Sequence, residues 1–463
     1  MDEKKYYRFG SVTEACVDPL LNREMLCELW RGFCFRAGEL RVAEGGNCCI
    51  AIGNARFLSL EEDEEYAVSI SEGGIGIVGR DTASLMRGFC AMLIRIEMRE
   101  TGKLPFFAEC GEIRSRFTVA RRMIHLCVFP ETDPVALQRL VRLCGVLSYT
   151  HVVLEFWGML RYECLPELSW KNAFSKEEIA PIIREARALG MEPIPMINHL
   201  GHASACRIDS GKHVVLDQNP SLQWMFTADG WCWNVFSERV RALLRKMRKE
   251  LCDLFGEGEY FHIGCDEAHI FSSDYYSQNG VAEYLKELTG EIAKEGRRPM
   301  LWGDMILPYD CNSDKPEKYT AAWEKAKQTR VLLNSLAPES VIADWHYDAK
   351  KAPIETVLEY QKEGFDVVGC PWDTPANIDA HHKTATDNKT YGLMMTTWHT
   401  LNSGTNAILY FARKCGFPKA PWSDAAGHRN LEIATLLRRL SPRALEYFET
   451  GFCHRQIKET FNW

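Results

Sequence analysis

The stretch Tyr260-Phe261-His262-Ile263-Gly264-Cys265-Asp266-Glu267 decides how the rest of the chain is read. Its first half is a short apolar run of the kind that forms a buried strand. Its second half places a glycine before two adjacent carboxylates. Alternation sends neighbouring side chains of a strand to opposite faces, but this strand ends near Gly264. Past that point Asp266 and Glu267 can both turn into one pocket at different heights. An acidic dipeptide alone is common in solvated loops. The strand in front of it and the His-x-Gly lead single this one out.

Similar apolar runs recur on both sides. The strand candidates are Met123–Phe129, Val152–Phe156, Pro193–Asn198, Tyr260–Gly264, Met300–Asp304, Val341–His346, Val367–Trp372 and Leu393–Trp398. Helical segments such as Pro134–Leu147, Lys176–Leu189, Ser237–Phe255 and Ile354–Lys362 lie between them. Continuous apolar strands followed by amphipathic helices imply a parallel sheet buried on both faces. Eight such units predict an α/β fold, a closed (β/α)8 TIM barrel. The crossover after Asn198 is the longest, and its first part, Leu200–Gly230, has the composition of a functional loop.

Ahead of the barrel, Cys48–Ile52, Tyr66–Ile70 and Ile75–Val78 read as strands. Ser71-Glu72-Gly73-Gly74 reads as a hairpin turn whose glycines supply positive φ. Thr82 to Met98 reads as one helix, with Leu85, Phe89, Met92, Leu93 and Ile96 on a stripe. The expected organisation is a small α/β domain over 1–115, the barrel over 116–423, and a helical extension over 424–463 packed on the barrel.

Composition narrows the function classes. With 46% hydrophobic and 25% charged residues the chain is an ordinary globular protein. A net charge of −8 repels phosphate backbones and anionic membranes, so neither nucleic acid nor membrane is an expected partner. The opening Met1-Asp2-Glu3-Lys4-Lys5 lacks an apolar export signal. The 18 cysteines are scattered, several in apolar runs, and none form a C-x-x-C pair. Buried thiols in a reducing cytoplasm are the expectation. Homo-oligomerisation is left open.

Barrel enzymes carry their chemistry at the C-terminal strand ends. Those ends supply Arg121, Arg122 and His125; Glu155 and Trp157; Asn198, His199 and His202; His262, Asp266, Glu267 and His269. The later strands add Trp302 and Asp304; Asp344, Trp345, His346 and Tyr347; Trp372 and Asp373; Trp398 and His399. Indoles from five strands plus convergent carboxylates suit a sugar, whose C–H faces pack on rings while its hydroxyls take directed hydrogen bonds. Glycosidic cleavage needs an acid at the leaving oxygen. Glu267 fits that acid, its pKa expected to be raised by partial burial and by the charge of Asp266.

The motifs resemble family 20 glycoside hydrolases, the β-N-acetylhexosaminidases, and within them the hexosaminidase-D-like group. His262, Gly264, Asp266 and Glu267 stand as His-x-Gly-x-Asp-Glu. Arg122, His125 and Leu126 stand as Arg-x-x-His-Leu, followed by Glu155, Gly201-His202, Trp302-x-Asp304-Met305, Trp345-x-Tyr347 and Trp398. The resemblance implies retaining hydrolysis in which the substrate's own 2-acetamido oxygen attacks the anomeric carbon. On that implication Glu267 is the acid/base and Asp266 orients the acetamido N–H. Tyr347 donates to the acetamido oxygen, and Arg122 grips hydroxyls at the non-reducing end. Asp304 and Glu155 hold further hydroxyls, and Trp302, Trp345 and Trp398 wall the pocket; apart from the resemblance, Trp372 joins them as a strand-end indole and His202 is placed to brace a carboxylate.

Three positions depart from the family pattern. Cys127 stands where an Asp is usual, Trp157-Gly158 replace an acidic pair, and Leu401 stands near the place of a Tyr. No cofactor is expected. The spacing of His262, Asp266 and His269 does not fix three ligands on one ion, so no metal is expected either. Two other readings stay open: a carbohydrate-binding barrel without catalysis, and a retaining glycosidase with a protein nucleophile.

Overall fold

The computed structural model describes residues 4–34, 38–55, 58–98, 106–203, 216, 219–268, 278–306, 329–398, 404–420 and 429–440. His269, His399, Leu401 and residues 204–215 and 217–218 of the loop after Leu200 lie outside the described residues, as does the chain beyond 440.

Eight parallel strands close into a barrel in chain order. They are β1 (Arg121–Cys127), β2 (His151–Glu155), β3 (Glu192–Met196), β4 (Tyr260–His262), β5 (Arg298–Trp302), β6 (Val341–Trp345), β7 (Asp366–Cys370) and β8 (Gly392–Thr397). The barrel shuts where Arg121 pairs with Gly392 and Leu126 with Thr397. Helices cover it, their starts set by local chemistry. Asp133 accepts the N–H groups of Val135 and Ala136 ahead of Pro134–Val146. Ser175 and Glu178 form a reciprocal capping box on Lys176–Ala188.

The pleat sorts the strand residues into two cores. Met123, Val153, Ile194, Met196, Tyr260, Met300, Trp302, Val341, Ala343, Val368, Cys370 and Met394 fill the lumen. Their immediate neighbours, such as Ile124, Leu126, Val152, Leu154, Phe261 and Ile342, pack outward against the helices. This parity controls which side chains reach the barrel mouth.

The N-terminal region carries a six-stranded mixed sheet in the order Gly111–Arg114, Tyr66–Ser71, Gly74–Gly79, Cys48–Ile52, Val12–Val17, Glu39–Val42. The predicted hairpin forms, pairing Ser71 with Gly74. Its glycines serve differently from the expectation. Neither Gly73 nor Gly74 adopts positive φ. Gly74 is needed because a Cβ there would sit 2.5 Å from the carbonyl oxygen of Asn47. The predicted helix stops at Leu93, and Ile96–Met98 is a strand paired with Phe106–Glu109. The β-branched Ile94 and Ile96 favour that change, and Ile96 buries its side chain opposite Ala108.

Helix Arg429–Arg439 touches Arg23–Cys34 of the N-terminal region as well as Pro134–Val146 and Thr405–Lys414 of the barrel layer. Among the described residues no helix is long and apolar enough to cross a membrane. The described cysteine side chains form no disulfide.

Candidate active site

The turn after β4 is the least relaxed backbone in the barrel. Gly264, Cys265 and Glu267 have φ of 65°, 74° and 43°. A side chain at Gly264 would meet Asn198 Oδ1 at 1.5 Å, so only glycine fits. Non-glycine residues held at positive φ cost free energy and persist where the surroundings over-determine them. Here the surroundings are specific. The N–H of Glu267 donates to Asp304 Oδ2 at 2.9 Å, and the Trp231 indole donates to the Glu267 carbonyl at 2.6 Å. Gly201 packs on the same turn, since a Cβ on it would lie 2.1 Å from the Asp266 carbonyl oxygen. Trp157 and His202 also take positive φ, so four of the six such residues described lie at this mouth.

His202 ties the two carboxylates together. Its Nε2 lies 3.3 Å from Asp266 Oδ2 and 3.1 Å from Glu267 Oε2. Burial alone would lower the imidazole pKa, but the Asp266 and Glu267 carboxylates outweigh it and push it up to about 9. His202 is therefore an imidazolium at neutral pH. Trp231 packs 4.5 Å from its ring, and Trp157 meets it edge-on at 5.5 Å. Asp266 is 5% exposed while the Glu267 side chain is 34% exposed, so the two carboxylates differ in access to solvent. Asp266 Oδ1 is buried without a hydrogen-bond partner.

Asp304 braces the turn that carries Glu267. One oxygen holds the Glu267 backbone and the other is buried without a partner. Burial first, then the Asp266 charge, pushes its carboxyl well above the usual range.

The opposite wall is aromatic. The Trp398 indole donates to Tyr347 Oη at 2.5 Å, leaving the phenol hydrogen available to a ligand. Burial holds the Tyr347 phenol well above its ordinary pKa, so it stays a donor. Trp345 stacks on Tyr347 at 5.0 Å, and Trp372 leans on it at the same distance. Asn377 locks this wall by accepting from the Trp372 N–H and donating to the carbonyls of His346 and Ala349.

At the floor, Glu155 accepts from His125 Nε2 at 2.9 Å, Cys127 Sγ at 3.2 Å and Asn198 Nδ2 at 2.8 Å. The Trp233 indole in turn fixes the Asn198 carbonyl. Glu155, Trp157, Asn198 and His202 line one cleft.

Two sequence-predicted residues are placed elsewhere. Arg122 is the second residue of β1, about 16 Å below its C-terminal end, and its parity is outward. Its guanidinium grips both oxygens of Glu65 at 2.9 and 3.0 Å and donates to the carbonyls of Ser148, Val119 and Ala120. It is a weld to the N-terminal region and is not brought to the mouth. Trp302 has lumen parity but is fully buried beneath the pocket, against His262 and Trp398. His262 is buried and burial holds its pKa well down, as suits a structural residue. Asp344 and His346 have outward parity, and Asp344 accepts from Thr356 behind the wall. Sequence reasoning names Asn198 at a strand end without giving it a role, and misses Trp231 and Trp233. Asn198 had lumen parity as a signal; the two indoles act through backbone carbonyls, which leaves no mark in sequence.

The family profile described as "Glycosyl hydrolase family 20, catalytic domain" matches residues 149–412, more than half of the chain. The match begins after β1, the strand that carries His125 and Cys127. Hexosaminidase D of Bos taurus is 25% identical over 206 residues, which span 41% of this chain and 57% of the bovine protein. Among solved structures, a β-N-acetylhexosaminidase from Bacteroides fragilis superposes with a TM-score of 0.67 at 13% identity, covering 97% of this chain and 94% of that one. An exo β-N-acetylglucosaminidase from Vibrio harveyi in complex with N-acetylglucosamine gives 0.65 at 16% identity, with 97% and 76% covered. At such identities the structural likeness speaks for the fold; the profile match carries the family, and this chain belongs to family 20 of the glycosyl hydrolases.

Proposed function

We propose that the protein is an exo-acting β-N-acetylhexosaminidase that removes terminal β-linked GlcNAc or GalNAc by substrate-assisted retaining hydrolysis. The observation that carries this reading is the buried, unpartnered Asp266 Oδ1 beside the better exposed Glu267. Buried polar atoms are nearly always satisfied, so an orphan carboxylate oxygen in a catalytic mouth marks the place of a missing ligand donor. An acetamido N–H supplies that donor. Held there, the acetamido group presents its carbonyl oxygen to the anomeric carbon, and the Tyr347 hydroxyl steadies that oxygen.

Glu267 then protonates the leaving oxygen as the acetamido oxygen bonds to the anomeric carbon. The glycosidic bond breaks to leave an oxazolinium ion. Asp266 stabilises the positive nitrogen. Glu267, now a carboxylate, removes a proton from water as that water opens the ring and restores the acid. The imidazolium of His202 keeps both carboxylates oriented. Trp345, Trp372 and Trp398 suit the apolar acetamido methyl and sugar ring. The unbridged thiols suit action in a reducing cytoplasm.

The test is release of nitrophenol from aryl β-GlcNAc and β-GalNAc glycosides, with Glu267→Gln inactive and an N-acetyl thiazoline inhibiting. Clean sugar binding without turnover would sink the enzyme reading. Turnover that the thiazoline leaves untouched would instead point to a protein nucleophile.

A further inference from the structure

The floor of the mouth holds a buried donor set that takes no part in the proton transfers assigned to Glu267. His125 Nε2, Cys127 Sγ and a Glu155 carboxylate oxygen lie within 4.8 Å of one another, all fully buried. The fold assembles them directly. His125 and Cys127 are two apart on β1 and so share lumen parity. Glu155 is the register partner of Cys127 on β2. The atom pairs are 2.9 Å (N to O), 3.2 Å (S to O) and 3.7 Å (S to N).

Tetrahedral zinc, with bonds of about 2.0–2.3 Å, sets its donor atoms roughly 3.3–3.7 Å apart. The triangle therefore matches a zinc face to within about 0.4 Å on its shortest side. Imidazole, thiolate and carboxylate are the ligand types that zinc takes. The charge also balances. With Cys127 deprotonated the trio carries a thiolate and a carboxylate against one divalent cation. Asn198 Nδ2 holds the other Glu155 oxygen, the outer support that metal-ligating carboxylates ordinarily have. Glu155 also lines the cleft with Trp157, Asn198 and His202, so the trio adjoins the sugar side through that residue.

We propose that His125, Cys127 and Glu155 form a binding site for a thiophilic divalent cation, with Zn2+ the fitting ion, and that cation and sugar exclude each other. Binding forms the metal–sulfur bond as the Cys127 thiol proton passes to solvent. The exclusion rests on the reading under Proposed function, because it needs a sugar in this mouth, with Glu155 holding a hydroxyl as the family resemblance implies. The cation site itself does not.

The test uses the full chain, reduced and stripped of metal. Cd2+ titration is expected to give one equivalent with an ultraviolet sulfur-to-metal charge-transfer band. Cys127→Ser should lose that equivalent, and His125→Gln, which keeps every cysteine, should weaken it by about tenfold or more. Zinc-edge X-ray absorption of the wild type, which needs no variant, should give one sulfur and otherwise nitrogen and oxygen neighbours. An unchanged titration in folded Cys127→Ser, or a zinc shell without that single sulfur, overturns the site. Thiazoline affinity should fall with Zn2+ in the wild type and not in Cys127→Ser. Equal affinity with and without bound Zn2+ overturns the exclusion. A protein that binds Cd2+ as expected but never binds the thiazoline refutes the sugar reading and leaves the cation site standing.

Discussion

Two clusters of charge sit at opposite ends of the same barrel, and they are built to opposite plans. At the N-terminal end Glu65 lies between Arg122 and Arg87, and Arg87 also reaches the Gly190 carbonyl. Two cations share one carboxylate, and the surplus guanidinium donors end on backbone carbonyls and the Ser84 hydroxyl. At the C-terminal end Asp266, Glu267 and Asp304 surround one imidazolium, and two carboxylate oxygens are buried without partners. The first cluster is satisfied within the protein. The second is short of donors and sits on strained backbone. A satisfied buried network holds the fold; an unsatisfied one is completed by a ligand. Arg122 and Glu267 are both charged side chains on barrel strands or just past them, and this balance, like their positions, separates their roles.

The largest effects should fall cleanly on one side or the other. Glu267→Gln is expected to cut kcat by about 10²- to 10⁴-fold, the usual worth of a general acid/base. Its unfolding free energy, read by denaturant titration, should hold or rise, because one carboxylate leaves a crowded cluster. A variant that lost stability as well would blur the comparison.

Glu65→Gln is the mirror image. Breaking a buried ion pair from one side costs about 3–5 kcal/mol, and here it leaves two guanidinium groups facing each other. kcat/KM per folded molecule should stay at the wild-type value. A change in KM for the sugar, with stability intact, would return Arg122 and its partner to the site. The pH dependence has a definite sign. Burial raises the Glu65 pKa, but Arg122 and Arg87 lower it further, so the net shift is downward. Its contribution is then present above the unfolded carboxylate range and lost as pH falls through the lowered value. Acid unfolding should lose that component in Glu65→Gln.

These contrasts explain what the sequence could and could not disclose. The barrel is legible because apolar runs and helical segments alternate eight times. The mouth is largely legible too, by a rule stricter than proximity to a strand end. Residues an even number of places from Met123, Val153, Met196, Met300, Ala343, Val368 and Met394 have lumen parity. That rule keeps Glu155, Asp304, Trp345, Tyr347, Trp372 and Trp398, adds Asn198, and rejects Arg122, Asp344 and His346. Parity cannot say how deep a side chain ends: Trp302 reads as wall and is fully buried against His125, His262 and Trp398. Nor does it reach past the strands. The turn through Gly264, Cys265 and Glu267 and the swing of His202 onto it depend on loop contacts between distant segments.

His202 offers a smaller effect that tests the functional cluster. Its raised pKa means that its tie to Asp266 and Glu267 is complete below the unfolded histidine value and is lost as pH rises through about 9. The kcat profile should fall on the alkaline side near that pH. His202→Gln should lower kcat and remove that limb, leaving a flatter profile. An alkaline limb that survives in the variant assigns the titration to another group.

The smallest effect belongs to Asp304, and it separates two readings of a buried acid. If burial and the Asp266 charge keep its carboxyl neutral, Asn is a close mimic. The amide oxygen can still accept the Glu267 N–H, so the left-handed turn survives. Asp304→Asn should then change kcat by no more than about threefold, under 1 kcal/mol in barrier height. It should leave the unfolding free energy within about 1 kcal/mol, the net worth of one ordinary hydrogen bond. A loss comparable to that of Glu267→Gln would mean that Asp304 works as an anion. The mouth would then hold three negative charges against one imidazolium, and the contrast with the balanced Arg122–Glu65–Arg87 weld would be sharper still.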